Sequence, residues 1–238
     1  MSWLDLPRVP EPEVMDDCGE VQAYSSAAVT AYLSAIDDTF IAHAERLLLG
    51  RSSPDDTGRA LDIGCGPGQI ILKLAQRWPG WRFAGVDRSG NMVREALAAR
   101  ERAAQRAAGE FAAGVEFFVA DGSRLPFADA SIDLVLCNSV LHHLEQPGRL
   151  FAEVARVAAP GAAILVRDLR RPSRLAYPLH VRWYGRRYSG LMYKLYCDSV
   201  RAAYRREELA ALLRASPLRD ARIFTLGRTH LGFERPVR

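Results

Sequence analysis

Cysteine is scarce in this sequence, and no two cysteines form a C-x-x-C pair. Cys18, Cys65, Cys137 and Cys197 are the four cysteines among 238 residues, and they stand far apart. This spacing argues against a zinc knuckle and against a dithiol redox centre, so we expect no bound metal. Cys65 and Cys137 lie in or beside apolar runs, where we expect reduced and buried thiols.

Long hydrophobic runs are also missing. No stretch approaches the roughly 20 apolar residues that a bilayer-spanning helix needs. The first residues, MSWLDLPRVPEPEV, contain an aspartate and several prolines instead of a basic region leading into an apolar stretch. These absences predict a cytoplasmic protein with no secretory signal and no membrane partner.

Acidic residues are nearly absent from one segment of an otherwise balanced chain. The net charge is only +4, and 49% hydrophobic with 25% charged residues is ordinary for a globular protein with a sizeable core. Between Arg167 and Arg206, however, basic residues far outnumber Asp168 and Asp198. Tyrosines and a tryptophan are interleaved with these arginines.

Short apolar runs rich in β-forming residues alternate with segments of helical period. The runs span residues 60–63, 82–87, 115–121, 132–138 and 162–169. This alternation, with Ser89 as a helix cap, predicts an α/β fold with a doubly wound, mostly parallel sheet. A helix over 207–215 and strands over 221–226 and 232–236 bring the predicted strands to seven.

An amino-terminal helical cap is predicted by apolar residues at helical spacing, namely Val29, Leu33, Ile36 and Phe40. We see no internal repeat and predict a single domain. Its predicted parts are the cap (1–57), a cofactor-binding core (58–170), a basic and aromatic substrate-side insertion (171–206), and a carboxy-terminal helix with strands (207–238).

Three glycines stand where the first strand gives way to a helix, in LDIGCGPGQI: Gly64, Gly66 and Gly68. The dinucleotide fingerprint is G-x-G-x-x-G, whereas this chain has Gln69 at the third glycine position, which disfavours a nicotinamide cofactor. Asp62 would repel a pyrophosphate but suits an ammonium group. Asp87, about 20 residues further on, stands where an acidic residue binds ribose hydroxyls. Together they predict a nucleoside with a cationic, phosphate-free tail.

Five motifs, LDIGCGPG, VDRSGNM, ADGSRLPF, IDLVLCNSVLHHL and RVAAPGAAILVRDL, resemble the Rossmann-like (class I) S-adenosylmethionine-dependent methyltransferases over roughly residues 58–170. The resemblance implies direct in-line transfer of a methyl group from S-adenosyl-L-methionine to O, N or S of a small-molecule acceptor, with S-adenosyl-L-homocysteine as product. The cofactor-binding residues that it implies are Tyr24, Asp62, Gly64, Cys65, Gly66, Gly68, Asp87, Arg88, Met92, Asp121, Gly122, Asn138 and Ser139.

The resemblance also assigns roles within that set. Asp62 would help to hold the amino group of the methionine part, and Asp87 would bind the ribose. Asp121 would accept a hydrogen bond from the adenine amine, unless it merely caps its own turn. Asn138 would face the methyl group, unless it only satisfies backbone groups at the strand end.

Two histidines in NSVLHHL, His142 and His143, are the candidate catalytic bases, because histidine titrates near neutral pH and can take a proton from a hydroxyl. The alternative is that one packs against the next helix while the other caps a backbone group. Asp168 is a second candidate, for which Arg167 and the arginines after it offer ion pairs.

The acceptor is not fixed by these motifs. NSVL stands where amino-methylating enzymes of nucleobases commonly carry N/D-P-P-Y/F, so no DNA partner is expected. The basic and aromatic segment could track RNA, form a lid over a small acceptor or contact a second subunit. An RNA-modifying methyltransferase and a non-catalytic S-adenosylmethionine-binding protein are therefore the alternatives, and the chain is expected to be a monomer or a homodimer.

Overall fold

A computed structural model describes residues 3–11, 16–28, 30–48, 57–106 and 114–237. Val29, one position of the predicted apolar stripe, lies outside the described residues. None of the helices in these ranges combines the length and the apolar character that crossing a membrane requires.

A seven-stranded sheet runs through the described residues, in the order β3-β2-β1-β4-β5-β7-β6. Its strands are β1 (Arg59–Ile63), β2 (Arg82–Asp87), β3 (Val115–Val119), β4 (Ile132–Asn138), β5 (Ala158–Leu169), β6 (Arg222–Leu226) and β7 (His230–Arg235). The first five strands are parallel, and β7 is antiparallel to both β5 and β6. The predicted doubly wound, mostly parallel sheet is confirmed.

Eight α-helices flank the described sheet: α1 (Cys18–Ala28), α2 (Ala31–Leu47), α3 (Gln69–Arg77), α4 (Gly90–Arg106), α5 (Pro147–Val157), α6 (Tyr177–Tyr184), α7 (Gly190–Ala202) and α8 (Arg206–Arg214). The first two form the predicted amino-terminal cap. The insertion after β5 is helical, as predicted, and consists of α6, α7 and a short 3-10 helix between them. Ser89 caps α4 by accepting a hydrogen bond from the Met92 amide at 3.1 Å.

Strand alternation distributes β1 over two hydrophobic cores. Leu61 and Ile63 pack in the core that includes Phe151 of α5, whereas Ala60 packs in the core that includes Ile71 of α3. Because side chains alternate across a strand, Asp62 shares the face of Ala60 and points under the helices on that side. A carboxylate is therefore placed inside the protein at the end of β1.

The strand order reverses next to β1, which pairs with β2 on one side and β4 on the other. The carboxyl ends of β1 and β4 meet there, with Ile63 opposite Cys137. Ligands of open α/β sheets bind at such a switch point, beyond the carboxyl ends of the strands.

Gly232 is required by close strand packing. It lies on β7 between Arg167 of β5 and Phe224 of β6. A Cβ atom added there would lie 2.0 Å from the carbonyl oxygen of Val166 and 2.9 Å from the Cα of Arg167. Backbone atoms in a sheet cannot move away without breaking the ladder.

We therefore expect Gly232→Ala to lower the free energy of unfolding by roughly 2–4 kcal/mol. Gly90→Ala is the control, because a Cβ atom at Gly90 would meet nothing within 4 Å and helices favour alanine over glycine by about 0.5–1 kcal/mol. Urea unfolding of both variants measures the difference. Equal unfolding midpoints would contradict the strand packing described above.

Candidate functional site

A cavity of about 460 Å³ opens at the switch point, beneath the cap and α7. The turns after β1, β2 and β4 form one side, and α1, α2 and α7 form the other. Eleven of the residues predicted from the sequence line this cavity: Tyr24, Gly64, Gly66, Asp87, Arg88, Met92, Gly122, Asn138, Ser139, His142 and His143.

The glycine turn after β1 has a backbone that other residues rarely adopt. Gly64, Gly66 and Gly68 have φ angles of +71°, +51° and +82°. A Cβ atom at Gly64 would also lie 2.3 Å from a methyl carbon of Val140. Glycine is therefore needed here both for the left-handed conformation and for close packing.

The amide groups of this turn are already used within the protein. Gly64 and Cys65 donate to the carbonyl of Val86, and Gly68 donates to the carbonyl of Cys65. Gly66 donates to the carboxylate of Asp87 at 2.9 Å, and residue 67 is a proline without an N–H. Among residues 64–68, all of them described, no amide is left to cradle a phosphate. This geometry agrees with the sequence argument against a dinucleotide.

Asp87 ends β2 with its carboxylate held from two sides. One oxygen accepts the Gly66 amide, and the other accepts the Ser89 amide at 2.9 Å. Burial raises the pKa of Asp87 above its ordinary value, and these hydrogen bonds offset part of the rise. Each carboxylate oxygen has about two lone-pair sites, so both retain capacity for a ligand's hydroxyl groups.

Asp62 is a buried carboxylate with an unpaired oxygen. It is 1% exposed, and its Oδ1 atom has no hydrogen-bond partner among the described residues. Burial raises the pKa of Asp62 well above its ordinary value, and the charges of Asp37 and Asp87 add to that rise. An unpaired buried acceptor costs free energy of folding. A hydrogen-bond donor on a bound ligand would satisfy this oxygen.

Asp37 brings a third carboxylate to the same end of the cavity, from α2 in the cap. Burial raises its pKa to about 6, although Lys73 and Arg167 partly oppose the rise. Three carboxylates close to one another favour a ligand that carries positive charge. The residues present therefore fit a cationic nucleoside and do not fit a diphosphate.

Four predicted cofactor residues lie outside the cavity wall. Asp62, Cys65 and Gly68 are behind or within the turn, where a Cβ atom at Gly68 would lie 2.6 Å from the ring of Phe117. Asp121 is exposed and accepts the amide of Ser123 at 2.8 Å, so it does cap its own turn. Its carboxylate also lies 3.9 Å from the guanidinium of Arg88, which lines the cavity.

One of the histidines that line the cavity, His142, pairs with the buried Asp168. His142 Nδ1 lies 2.6 Å from Asp168 Oδ1, and the His142 amide donates to Asp168 Oδ2 at 2.8 Å. Burial by itself lowers the pKa of His142, but the carboxylates of Asp168 and Glu11 outweigh it and hold the pKa above the ordinary histidine value. Burial raises the pKa of Asp168, yet the facing imidazole keeps it below its ordinary value. The pair is therefore an ion pair when His142 is protonated.

The prediction that Asp168 forms ion pairs with the neighbouring arginines is wrong. Arg167 is adjacent on β5 and so points to the opposite face, where it donates to Asn138 Oδ1 at 2.9 Å and to Thr39 Oγ1 at 2.8 Å. Arg171 instead pairs with Glu208. The bond from Arg167 fixes the amide of Asn138 at the cavity wall.

Ser139 supports the assignment of this strand end to function. Its φ of +60° is left-handed, a conformation that costs a non-glycine residue on the order of 1–3 kcal/mol. Its amide donates to the Arg167 carbonyl at 2.8 Å, which holds the strained residue in place. Strain of this kind concentrates at ligand sites.

Several residues of the site escape the sequence analysis. Asp37 had a usable signal, because it lies four residues after Leu33 on the apolar face of α2. Glu11 had none: it stands between prolines, and only the fold brings its Oε2 atom to 3.7 Å from His142 and 3.8 Å from His143.

Aromatic side chains close the site from above. The rings of Tyr32 and Tyr188 meet edge to face at 5.9 Å, and those of Tyr188 and Tyr196 lie 5.2 Å apart. All three line the cavity. The insertion thus contributes some of its tyrosines to the site.

Comparison with known proteins gives the family. Residues 61–166 match the model of a family described as a methyltransferase domain. A demethylmenaquinone methyltransferase of Roseiflexus sp. (strain RS-1) is 31% identical over 199 residues, which are 77% of this chain and 79% of the relative. A malonyl-[acyl-carrier protein] O-methyltransferase of Hahella chejuensis is 30% identical over 175 residues, 74% of this chain and 57% of the relative.

The chain spans about half the length of several curated relatives that it matches, between 47% and 57% of three of them. Among solved structures, a putative S-adenosyl-L-methionine-dependent methyltransferase from Methanococcus maripaludis has the same fold. Its TM-score is 0.66 at 16% identity, and the match covers 96% of this chain and 97% of the other. Sheet order, glycine turn and relatives agree, and the chain belongs to the class I S-adenosylmethionine-dependent methyltransferases.

Proposed function

We propose that this chain transfers a methyl group from S-adenosyl-L-methionine to a small-molecule acceptor. The observation that carries the proposal is that two chemically different groups of residues line one cavity. They are the glycine turn with Asp87, which we call the carboxylate end, and His142 with the Asp168 that holds it, which we call the histidine end. A cavity of this size is typical of small-ligand sites, which span about 300–1,000 Å³.

The carboxylate end would hold the cofactor. Asp62 would accept a hydrogen bond from the amino group of the methionine part, and Asp87 would bind the ribose hydroxyls. Asp121 and Gly122 would meet the adenine edge, with Arg88 and Met92 beside it. When bound, S-adenosyl-L-methionine supplies a methyl group on a positively charged sulfur for direct in-line displacement. The carboxylates favour that positive charge.

The histidine end would bind the acceptor, with Asn138 between the two ends. His142 is the base in this proposal, because Asp168 holds its Nδ1 atom, while Nε2 lies 3.7 Å from Glu11 Oε2, beyond hydrogen-bond distance, and can receive a proton. A base is needed for hydroxyl acceptors, which are poor nucleophiles at neutral pH, and less so for neutral amines or thiolates. Of the O, N and S acceptors expected from the sequence, the geometry favours a hydroxyl oxygen.

The tyrosines of the insertion favour a small acceptor over RNA. Tyr184, Tyr188 and Tyr196 line the cavity, whereas single-stranded nucleic acids stack on aromatic rings along an open groove. The relatives described above are methyltransferases whose names point to different acceptors, so they support the reaction class and not one acceptor. A cytoplasmic location and a monomeric or homodimeric state stay predictions from the sequence.

Asp87→Asn tests the cofactor site. We expect cofactor affinity to fall by at least about 30-fold, because the variant removes a charged acceptor from the ribose and loosens the Gly66 turn. Calorimetric titration with S-adenosyl-L-methionine measures the loss. Glu101→Gln, which changes an exposed carboxylate on the following helix, should bind like the wild type. Equal affinity of the two variants would refute the site.

Asp62→Asn distinguishes a role of Asp62 in cofactor binding from a role in stability. We expect the variant to bind S-adenosyl-L-methionine about 10- to 100-fold more weakly, while its free energy of unfolding stays the same or rises, because an unpaired buried acid is removed. Calorimetry and urea unfolding give the two quantities. A variant that loses stability but keeps its affinity would show that Asp62 has a purely structural role.

The pH dependence of methyl transfer tests the base. His142 must be unprotonated to act, and its raised pKa means that the rate rises with pH through a value above about 6.5. Asp168→Asn removes the larger of the two charges that raise this pKa, the other being Glu11, so we expect the inflection to move to lower pH and the maximal rate to fall about 100-fold. Rates with a hydroxyl acceptor are measured by S-adenosyl-L-homocysteine release.

His143→Gln is the matched control and should keep the wild-type inflection, because it is His142 that makes the two hydrogen bonds to Asp168. If His143→Gln removes the inflection instead, the base has been assigned to the wrong histidine. If the wild type binds the cofactor but methylates no acceptor, the non-catalytic alternative holds.

A further inference from the structure

The insertion presents a stripe of large apolar side chains to solvent. Leu175, Leu179 and Trp183 are 66%, 74% and 61% exposed. They are spaced four residues apart, so they follow one side of α6 and the turn before it. Scattered exposed leucines are ordinary on protein surfaces, but a contiguous apolar patch marks a contact surface.

The amino-terminal segment extends this stripe. The amide of Arg174 donates to the carbonyl of Leu4 at 2.9 Å, which places the two segments side by side. Trp3 is 72% exposed there, and Leu4 is 38% exposed. We call the five residues Trp3, Leu4, Leu175, Leu179 and Trp183 the docking face.

The surroundings of the docking face are basic. Arg174, Arg182 and Arg186 are exposed in the same segment, and the guanidinium of Arg186 lies 4.2 Å above the Trp183 ring. The sequence has no acidic residue from position 169 to position 197. Asp5, next to Leu4, is engaged in an ion pair with Arg205. The apolar face is therefore bordered by positive charge.

We propose that the docking face attaches the chain to an anionic lipid surface. Tryptophan and leucine side chains on one side of a helix insert at the headgroup boundary, and arginines beside them attract acidic headgroups. Charge complementarity favours this occupant over a second copy of the chain, because two copies would bring like-charged arginines together. The leucines distinguish the face from a nucleic-acid groove.

Attachment of this kind needs no spanning segment. The proposal departs from the sequence-based expectation of no membrane partner, which rested on the absence of a stretch long enough to span a bilayer and did not consider the bilayer surface. Tyr184 follows Trp183 directly along the chain, Tyr188 comes after the next three residues, and both tyrosines line the cavity. A docked chain would thus receive acceptors that partition into lipid, a consequence that rests on the proposed function.

Vesicle sedimentation tests the proposal with the full chain. We expect binding to phosphatidylcholine vesicles that contain about 30% phosphatidylglycerol, at least about tenfold weaker binding to phosphatidylcholine alone, and weakening by added salt. Leu179→Ser combined with Trp183→Ser should reduce binding about tenfold or more. Val119→Ser, which changes an exposed apolar residue on β3, should bind like the wild type.

Three results would overturn the proposal. They are no binding to anionic vesicles at low salt, equal binding to both vesicle types, and a wild-type dimer by light scattering that the double variant dissociates without any vesicle binding. The last result would make the docking face an interface between copies. Calorimetry with S-adenosyl-L-methionine keeps the two proposals apart, because the double variant should retain wild-type cofactor affinity whatever happens to vesicle binding.

Discussion

A buried carboxylate with one oxygen that has no hydrogen-bond partner among the described residues is the constraint around which the site is arranged. The alternation of β1 places Asp62 inside the protein, where burial, and after it the charges of Asp37 and Asp87, raise the pKa of Asp62. Neighbouring basic groups do not relieve it, since Arg167 is held by Asn138 and by Thr39 and Ile36 of α2. The free protein thus stores an unfavourable interaction that a cation can remove, so part of the binding free energy comes from the protein's own electrostatics.

The glycine turn and the end of β5 have different structural roles in the site. All amides of the turn are bonded within the protein, so the turn supplies shape and close approach and no phosphate cradle. Adjacent residues of β5 point to opposite faces, so that Arg167 fixes Asn138 while Asp168 fixes His142. One strand end therefore holds both Asn138 and His142, and in the proposed function these are the amide near the cofactor and the base near the acceptor.

Local pattern predicted most of the fold. The bounds of β2 and β4 agree residue for residue with the apolar runs, because both strands are buried on both faces. The predicted β5 began at residue 162, whereas the strand starts at Ala158, where pairing with Ile132 overrides Pro160 and Gly161. The glycine turn and Asp87 were also predictable, since their spacing lies within one strand–helix–strand unit.

The acceptor end was predictable only in part. The sequence offers His142, His143 and Asp168 as candidates but not the pairing of His142 with Asp168, because that bond spans 26 residues and depends on which face of β5 each side chain takes. Glu11 reaches the site from a segment whose sequence has no periodic pattern. Asp37 could have been predicted only by treating a charged residue on the apolar face of α2 as part of a binding site. The roles given to the cofactor residues stay predictions.

Calorimetric titration of the wild-type chain with S-adenosyl-L-methionine near pH 6, in two buffers of different ionisation enthalpy, tests the central claim most directly. A cationic ligand lowers the raised carboxyl pKa values, of which that of Asp37 is about 6. The account predicts binding with release of protons to the buffer. No binding, or binding with proton uptake, would contradict the claim that these carboxylates receive the cofactor's positive charge.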